Sequence, residues 1–186
     1  MLKLAVIGKD VSKSDSAKMH TFILRALGAD CSYELISCPA ERFDGEAERL
    51  LAGYDAFNVT IPYKLAVIPH LKGIEGDAKV FGAVNTVVDG VGYNTDGIGF
   101  SLMLENNGVD VSGKKILVLG AGGAGRSVVK KLLDAGAEVQ LFDLKRENAA
   151  AVCGEFTGAR LAEKVEAEPR YMIVNVTGVG MHKTEG

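Results

Sequence analysis

Short apolar runs alternate with longer amphipathic stretches along the first half of the chain, which predicts alternating strands and helices. Strands are expected at Leu2–Gly8, 31–38 and 55–61, the last ending at Pro62. Helices are expected over 16–27 and 41–53, with a short one over 64–71. The first helix is expected to be capped by Ser16, to end at Gly28 and to pack through five apolar residues: Met19, Phe22, Ile23, Ala26 and Leu27.

A hairpin and a second alternating region follow. Asp89-Gly90 lies between two apolar runs, a strong signal for a two-residue turn. A helix is predicted over 96–107, with Ile98, Leu102 and Leu104 among its apolar residues, and then a polar linker. The remaining pattern predicts strands at 115–120, 137–143 and 171–177 with helices over 123–135 and 145–154 between them. This βαβαβ order is that of one mononucleotide-binding half of a Rossmann fold.

The predicted fold class is therefore α/β with two domains. A mixed-sheet domain is expected over residues 1–100, and a truncated Rossmann domain over 101–186.

Composition narrows the possible partners. The 186 residues are 47% hydrophobic and carry a formal net charge of −3, so no bulk basic field attracts nucleic acid or an anionic membrane. No segment reaches the roughly 18 apolar residues of a membrane span. Cys31, Cys38 and Cys153 lack disulfide or zinc-ligand spacing and are expected to be small core residues. We expect a cytoplasmic protein that acts on small molecules and binds no metal.

A glycine-rich loop follows the predicted strand at 115–120 and opens a helix. Gly120, Gly122 and Gly125 match the G-x-G-x-x-G pattern within the segment Gly120, Ala121, Gly122, Gly123, Ala124 and Gly125. The pattern alone is weak, but this strand–turn–helix context favours dinucleotide binding. The first glycine permits the tight turn, the second lets backbone approach the pyrophosphate, and the third allows close helix–strand packing.

Asp143 ends the next predicted strand, about twenty residues beyond Gly120. An acidic residue there accepts hydrogen bonds from the adenosine ribose and favours NAD. Lys145 and Arg146 are nearby cations that can accommodate a 2′-phosphate, so NADP stays an alternative.

Polar residues collect at or beyond the strand ends of the first region, where open α/β sheets place ligands. They are Ser14, Ser16, Thr60, Lys64, Asn85, Asn94 and Asp96. Lys64 beside Asp96 would form a proton-transfer pair; burial would lower the lysine pKa and a carboxylate would raise it. Helix capping is the alternative role for Ser16 and Asp96.

These residues belong to a series of ordered motifs that resembles the shikimate dehydrogenase family, including its quinate/shikimate members. The resemblance covers essentially the whole chain. The motifs are Ser14-x-Ser16 with His20 downstream, NVTIPYK (58–64), GAVNT (82–86), NTDGIGF (94–100), GAGGAG (120–125) and N-x-T-x-x-G-M (175–181).

The resemblance implies an NAD(P)-dependent alcohol dehydrogenase that interconverts 3-dehydroshikimate and shikimate in aromatic amino-acid biosynthesis. It implies that Ser14, Ser16 and Thr60 bind the substrate carboxylate and that Asn85 and Asp96 bind ring hydroxyls. Lys64 would be the acid/base with Asp96 as partner, and hydride would cross an interdomain cleft. Four residues would border the cofactor: Asn175, Thr177, Gly180 and Met181.

The chain also departs from the family pattern. Lys13 and Ala17 replace a usual His and Pro around the serines, and Asp143-Leu144 replaces the Asn-Arg of NADP-using members, which again favours NAD. The chain ends at Gly186 without the family's C-terminal segment, and we expect a fragment of a longer protein, with a naturally short variant as the alternative.

Rival interpretations are a quinate or dual quinate/shikimate dehydrogenase, a non-catalytic ligand-sensing module on the same scaffold, and a methylenetetrahydrofolate-type dehydrogenase. The intact Lys64 and Asp96 argue against the sensing module, and the serine and NTD motifs argue against the folate enzyme. The protein is expected to be a monomer or homodimer.

Overall fold

A computed structural model describes residues 1–165, 169 and 171–179. The chain divides into two compact units, Met1–Thr95 and Asp96–Gly186, called unit 1 and unit 2 below.

Unit 1 alternates strands and helices before ending in a hairpin. Its elements are β1 (Leu2–Gly8), α1 (Ser16–Ala26), β2 (Cys31–Ser37), α2 (Phe43–Gly53), β3 (Ala56–Val59), β4 (Gly73–Ile74), α3 (Asp77–Phe81), β5 (Thr86–Val88) and β6 (Val91–Tyr93), with 3₁₀ turns at Ala40–Arg42 and Ile68–His70. The strands form one sheet in the order β2-β1-β3-β5-β6-β4. β1 is parallel to β2 and β3, whereas β5 is antiparallel to β3 and β6. The sheet is therefore mixed.

The core of unit 1 lies between this sheet and α2. Apolar residues from β1 and β3 are fully or almost fully buried, and Leu50 of α2 is 0% exposed against them. Tyr63 and Phe43 stack at 4.1 Å between ring centroids and extend the core towards the segment that follows β3. Burial at this level holds the strand ends that carry the candidate site in fixed positions.

The predicted Asp89-Gly90 hairpin is confirmed. Both turn residues have positive φ, 52° at Asp89 and 79° at Gly90, as a two-residue turn of the I′ type requires. Thr86 of β5 pairs with Tyr93 of β6, so the turn fixes the register that places Asn85 next to the hairpin's open end.

The predicted packing of α1 is wrong. The helix begins at Ser16 rather than being capped by it: Asp15 precedes the helix, with no side-chain cap. Its apolar stripe is exposed, with Phe22 76% and Leu27 75% accessible. The helix instead turns its opposite side to the sheet, because the His20 ring stacks on Tyr33 of β2.

One further local prediction fails, and two short elements were missed. Residues 64–71 form turns and the Ile68–His70 3₁₀ turn, because Pro69 has no N–H for a helix interior. The two-residue strand β4 and the five-residue helix α3 were not predicted. Elements this short have no readable periodicity and depend on tertiary contacts.

Unit 2 contains α4 (Asp96–Asn106), β7 (Lys115–Leu119), α5 (Gly123–Asp134), β8 (Glu138–Phe142), α6 (Arg146–Glu155), β9 (Arg160–Leu161) and β10 (Met172–Asn175). All pairings are parallel and the order is β10-β7-β8-β9. The strand at 171–177, expected as the third of this region, is thus the fourth: the short β9 is third, and β10 lies on the other side of β7. The order reverses between β7 and β10, which is where open parallel sheets bind ligands.

The predicted α/β class, a mixed sheet followed by a parallel Rossmann-type sheet, is confirmed. Cys31 and Cys38 are buried and Cys153 is half-buried, and all three thiols are free. In the part of the chain that the structure describes, no helix has the length and apolar content needed to span a bilayer.

Candidate functional site

The carboxyl ends of β1 and β3 meet at one edge of the unit 1 sheet. The Thr60 N–H donates to the Ile7 carbonyl at 2.9 Å, and the Lys9 N–H donates to the Ile61 carbonyl at 3.1 Å. Gly8 makes this approach possible, because a Cβ there would lie 2.5 Å from Thr60 Cγ2 and 2.8 Å from Val11 Cγ1. The close contact places Thr60 against Gly8, at the start of the segment that leads to Ser14 and Ser16.

The two serines form a hydrogen-bonded pair between β1 and α1. Ser14 Oγ donates to Ser16 Oγ at 2.9 Å, and the Ser16 N–H donates back to Ser14 Oγ at 3.2 Å. The Ser16 carbonyl lies 2.9 Å from His20 Nδ1, one helical turn on. Two hydroxyls fixed side by side at a sheet edge suit a carboxylate, which offers two acceptor oxygens.

Tyr33 and Asn58 connect this serine pair to the middle of the sheet. The Tyr33 hydroxyl donates to Asn58 Oδ1 at 2.7 Å, and the Tyr33 ring stacks on His20, whose Nδ1 lies 2.9 Å from the Ser16 carbonyl. Desolvation raises the pKa of Tyr33 to about 12, against which the nearby Ser16 side chain acts weakly. The phenol therefore stays protonated at neutral pH and keeps its donor role.

Asn85 lies at the other end of the same network. Asn58 Nδ2 donates to the Asn85 carbonyl and to Thr86 Oγ1, both at 3.2 Å. Asn85 Oδ1 accepts from Thr86 Oγ1 at 2.9 Å and from the Thr95 N–H at 3.0 Å. Ser14, Ser16 and Asn85, three residues predicted to bind substrate, are thus linked within unit 1 by hydrogen bonds and the His20–Tyr33 ring stack.

Lys64 lies in the turn segment that follows β3 and is half-buried. Its carbonyl accepts the Val84 N–H at 2.8 Å, while the Val59 N–H donates to the Asn85 carbonyl at 2.9 Å. These bonds hold the Lys64 backbone beside the 84–85 segment. Asp96 is the residue after Thr95 in the chain and begins α4 of unit 2, where it is half-buried.

The glycine loop of unit 2 has the conformation that its sequence predicts. Gly120 has φ +105°, and its N–H donates to the Phe142 carbonyl at 2.8 Å. A Cβ on Gly125 would lie 2.0 Å from the Gly120 carbonyl oxygen, whereas one on Gly122 meets nothing within 4 Å. The loop therefore closes tightly on itself at Gly125 and leaves an open approach at Gly122. Gly123 and Ala124, the first residues of α5, contribute N–H groups at the positive end of the helix dipole.

Asp143 holds the glycine loop against β8. The Ala121 N–H donates to its Oδ2 at 2.8 Å, and the Lys145 N–H donates to its Oδ1 at 2.9 Å. The carboxylate thus binds the loop backbone as well as adding negative charge at the sheet edge. Sequence reasoning found the residue but not this bracing role.

A cavity of about 610 Å³ opens at the carboxyl ends of β7, β8 and β10, within the usual size range of ligand sites. Gly120, Asp143 and Thr177 are among its lining residues. Asn175 shapes the turn after β10: its Oδ1 accepts from the Thr177 N–H at 3.0 Å, and its Nδ2 donates to the Val179 carbonyl at 3.1 Å. The Gly loop, the switch in strand order and this cavity together fit a dinucleotide. Gly180 and Met181, also predicted to border it, lie outside the described residues.

Tyr33 and Asn58 are the residues that sequence reasoning missed. Asn58 is a polar residue inside the otherwise apolar run of β3, and that interruption was the available signal. Tyr33 gave none, because a tyrosine in a half-buried strand is ordinary. Over residues 1–165, 169 and 171–179, no group of three His, Cys, Asp or Glu side chains is placed to hold a metal ion.

Comparison with known proteins identifies the family. A family model described as the shikimate dehydrogenase substrate binding domain matches residues 6–87. A Thermus thermophilus protein named shikimate dehydrogenase (NADP(+)) is 40% identical over 185 residues, covering 97% of this chain and 70% of that protein. A protein of the same name from Carboxydothermus hydrogenoformans is 38% identical over 197 residues, covering 97% and 69%.

Solved structures agree. The T. thermophilus shikimate 5-dehydrogenase in complex with NADP(H) and shikimate matches with a TM-score of 0.89 at 39% identity, covering 97% of this chain and 70% of that one. The Aquifex aeolicus shikimate dehydrogenase matches with a TM-score of 0.92 at 35% identity, covering 100% and 72%. The relatives' names specify NADP(+), which does not support the NAD preference predicted from Asp143. The predicted family is confirmed: this chain belongs to the shikimate dehydrogenase family.

Proposed function

We propose that this chain is an oxidoreductase that reversibly reduces 3-dehydroshikimate to shikimate with a nicotinamide dinucleotide. The observation that carries the proposal is the network of hydrogen bonds and one ring stack that links Ser14 and Ser16 to Asn85, beside the backbone of Lys64, in a member of this family. Hydroxyl and amide groups in such a network match a hydroxylated ring acid. Hydride chemistry is supported by the glycine loop of unit 2.

Most of the groups proposed to hold the substrate acid belong to unit 1. The Ser14 and Ser16 hydroxyls, with Thr60 on the adjoining strand end, receive the carboxylate. Asn85 and Asp96 receive ring hydroxyls. Because Asn85 Oδ1 already accepts from Thr95 and Thr86, its orientation is set before substrate arrives, which lowers the entropic cost of binding.

Lys64 is the acid/base. When bound, the dinucleotide supplies or accepts the hydride at the ring carbon. In the reducing direction the Lys64 ammonium gives a proton to the carbonyl oxygen as the C–H bond forms, so the ketone becomes an alcohol. In the oxidising direction neutral Lys64 takes the hydroxyl proton. Asp96 stabilises the protonated lysine.

For the cofactor we propose a preference for NAD over NADP, in contrast to the NADP(+) of the relatives' names. The support is local: the Asp143 carboxylate lies at the end of β8, and Leu144, 88% exposed, offers no charge to a 2′-phosphate. A carboxylate there accepts ribose hydroxyls and repels a phosphate.

The function is tested by assaying shikimate and quinate separately, each with NAD and NADP. Turnover of shikimate well above quinate supports the proposal. Turnover of quinate alone would replace it by a quinate dehydrogenase, and binding of shikimate without turnover under any cofactor would favour a sensing module.

Replacing Asp143 by Asn should shift the ratio of kcat/KM for NADP over NAD upwards by about tenfold, since it removes a negative charge that faces the phosphate. An amide has one acceptor oxygen, so one of the two bonds from Ala121 and Lys145 is weakened and NAD binding also falls slightly. Steady-state kinetics with both cofactors measure the ratio. An unchanged ratio would mean that Asp143 only braces the loop.

Replacing Tyr33 by Phe should raise KM for shikimate about tenfold while kcat falls much less, because Asn58 Oδ1 loses its donor and the amide that positions Asn85 is no longer held. A purely structural role predicts a lower Tm with unchanged kinetics, so both are measured. Tyr171→Phe, an exposed tyrosine in unit 2, is the matched control and should change neither.

A further inference from the structure

Arg146 and Glu163 form a two-pronged ion pair at the carboxyl edge of the unit 2 sheet. Arg146 Nε donates to Glu163 Oε2 at 2.9 Å, and Arg146 Nη2 donates to Glu163 Oε1 at 2.7 Å. Arg146 is the first residue of α6, three positions after Asp143, and Glu163 follows β9. The pair therefore lies beside the loop that would receive the adenosine ribose, and any role for it in cofactor choice rests on the proposed dinucleotide site.

The ion pair uses the two N–H groups of Arg146 that would otherwise be able to bind a phosphate. An arginine recognises phosphate through two parallel N–H groups, and here Nε and Nη2 are both directed to Glu163. The Arg146 hydrogen bond lowers the pKa of the Glu163 carboxyl, so Glu163 is ionised at neutral pH. A 2′-phosphate would find the Arg146 guanidinium already hydrogen-bonded, and the Glu163 carboxylate would repel it.

Stability alone does not account for the pair. Both side chains are about two-thirds exposed, 66% for Arg146 and 64% for Glu163. Exposed ion pairs contribute little to the free energy of folding, because solvent screens them and ordering two long side chains is costly. Removing either partner should leave unit 2 folded.

We propose that Glu163 is a residue that determines cofactor specificity: by holding the Arg146 guanidinium it withholds the loop's arginine from a 2′-phosphate and selects for NAD. The glutamate does not touch the reacting atoms and acts through Arg146. Selectivity in this chain then comes from a repulsive Asp143 and from an arginine that is present but engaged elsewhere.

Adenosine 2′,5′-bisphosphate and AMP are the probes, because they report on the 2′-phosphate without requiring turnover. Calorimetric titration of the intact chain should show that Glu163→Gln and Glu163→Ala each bind the bisphosphate about tenfold more tightly, with AMP affinity unchanged. The gain should shrink at high salt, since it is electrostatic. NAD and NADP titrations should give the same pattern.

Two further variants distinguish the engagement of Arg146 from simple charge repulsion by Glu163. In an Arg146→Gln background the gain from Glu163→Gln should vanish; a gain that persists would mean that simple charge repulsion acts, and would overturn the role of Arg146. Glu138→Gln removes an equal charge at the opposite end of β8, roughly 16 Å along the strand from Asp143, and should change neither affinity.

Failure of this inference is distinguishable from failure of the proposed function. If AMP and NAD bind normally and Glu163→Gln leaves bisphosphate affinity unchanged, the Glu163 role is wrong and the dinucleotide site stands. If neither AMP nor NAD binds the unsubstituted chain, the dinucleotide site fails and the Glu163 role fails with it.

Discussion

Replacing Lys64 by Ala should lower kcat for shikimate oxidation by about 10²–10⁴-fold, the range for loss of a general acid/base, while KM should change far less. The side chain leaves a half-buried position after β3, where the Lys64 carbonyl stays fixed by the Val84 N–H. The backbone bond survives the substitution, so the binding groups of unit 1 keep their places. We therefore expect proton transfer to be lost and shikimate binding to be retained.

Steady-state kinetics and calorimetric titration of shikimate measure the two effects separately. Lys79→Ala, an exposed lysine of α3, is the matched control and should behave as the unsubstituted protein. If Lys64→Ala instead keeps its kcat and loses only shikimate affinity, Lys64 is a binding residue and another group moves the proton.

The parts of the fold that could be predicted are those in which the local sequence is compatible with only one backbone conformation. The apolar run of β1 and its stop at Gly8, and the Asp89-Gly90 turn between two short strands, each specify local structure without help from the rest of the chain. The same holds for β7 and α5, because the glycine loop between them fits one backbone path.

Orientation and short elements could not be predicted. The periodicity of α1 gives a stripe containing Phe22 and Leu27, but not which side meets the sheet; the stacking of His20 on Tyr33 decides that. The strand β9 has two residues, too few for a hydrophobic pattern, so it was not predicted. The strand β10 was therefore expected to be the third strand of unit 2 and is the fourth. These features follow from tertiary contacts, which no local window contains.

The residues of the candidate site also divide into those that local sequence identifies and those that only tertiary structure reveals. Motif order identified Ser14, Ser16 and Asn85, yet the residues that join them, Tyr33 and Asn58, come from strands far apart in sequence. Their pairing depends on the β2-β1-β3 order of the sheet. The hydrogen-bond partner of Arg146 could not be predicted either. From the sequence Arg146 is a candidate to bind a phosphate, and only the structure shows that its guanidinium is bound to Glu163.

Replacing Gly125 by Ala should weaken NAD and AMP binding by about a hundredfold, the affinity equivalent of the upper range for overpacking a tight site. The added Cβ would lie 2.0 Å from the Gly120 oxygen and 2.9 Å from its carbonyl carbon. Both atoms are backbone, so no rotamer change relieves the clash. Either the loop opens or α5 moves away from it.

Both responses disturb the phosphate site in the same way. The Gly120 peptide is held on its other side by the Phe142 carbonyl, and the next peptide by Asp143. A displaced Gly120 therefore pulls on both bonds and turns the loop N–H groups away from a bound pyrophosphate. Thermal unfolding of unit 2 should move to lower temperature as well.

Titrations of NAD, AMP and shikimate show whether Gly125→Ala disturbs only the cofactor site or substrate binding as well. Shikimate affinity should change much less than NAD affinity, because Ser14, Ser16, Thr60 and Asn85 all belong to unit 1, and this separates a local defect from global unfolding. Gly154→Ala is the matched control: the residue lies in α6, a Cβ there meets nothing within 4 Å, and alanine favours a helix by about 0.5–1 kcal/mol. It should bind NAD normally. NAD affinity within twofold of normal in Gly125→Ala would show that the glycine loop does not hold the cofactor.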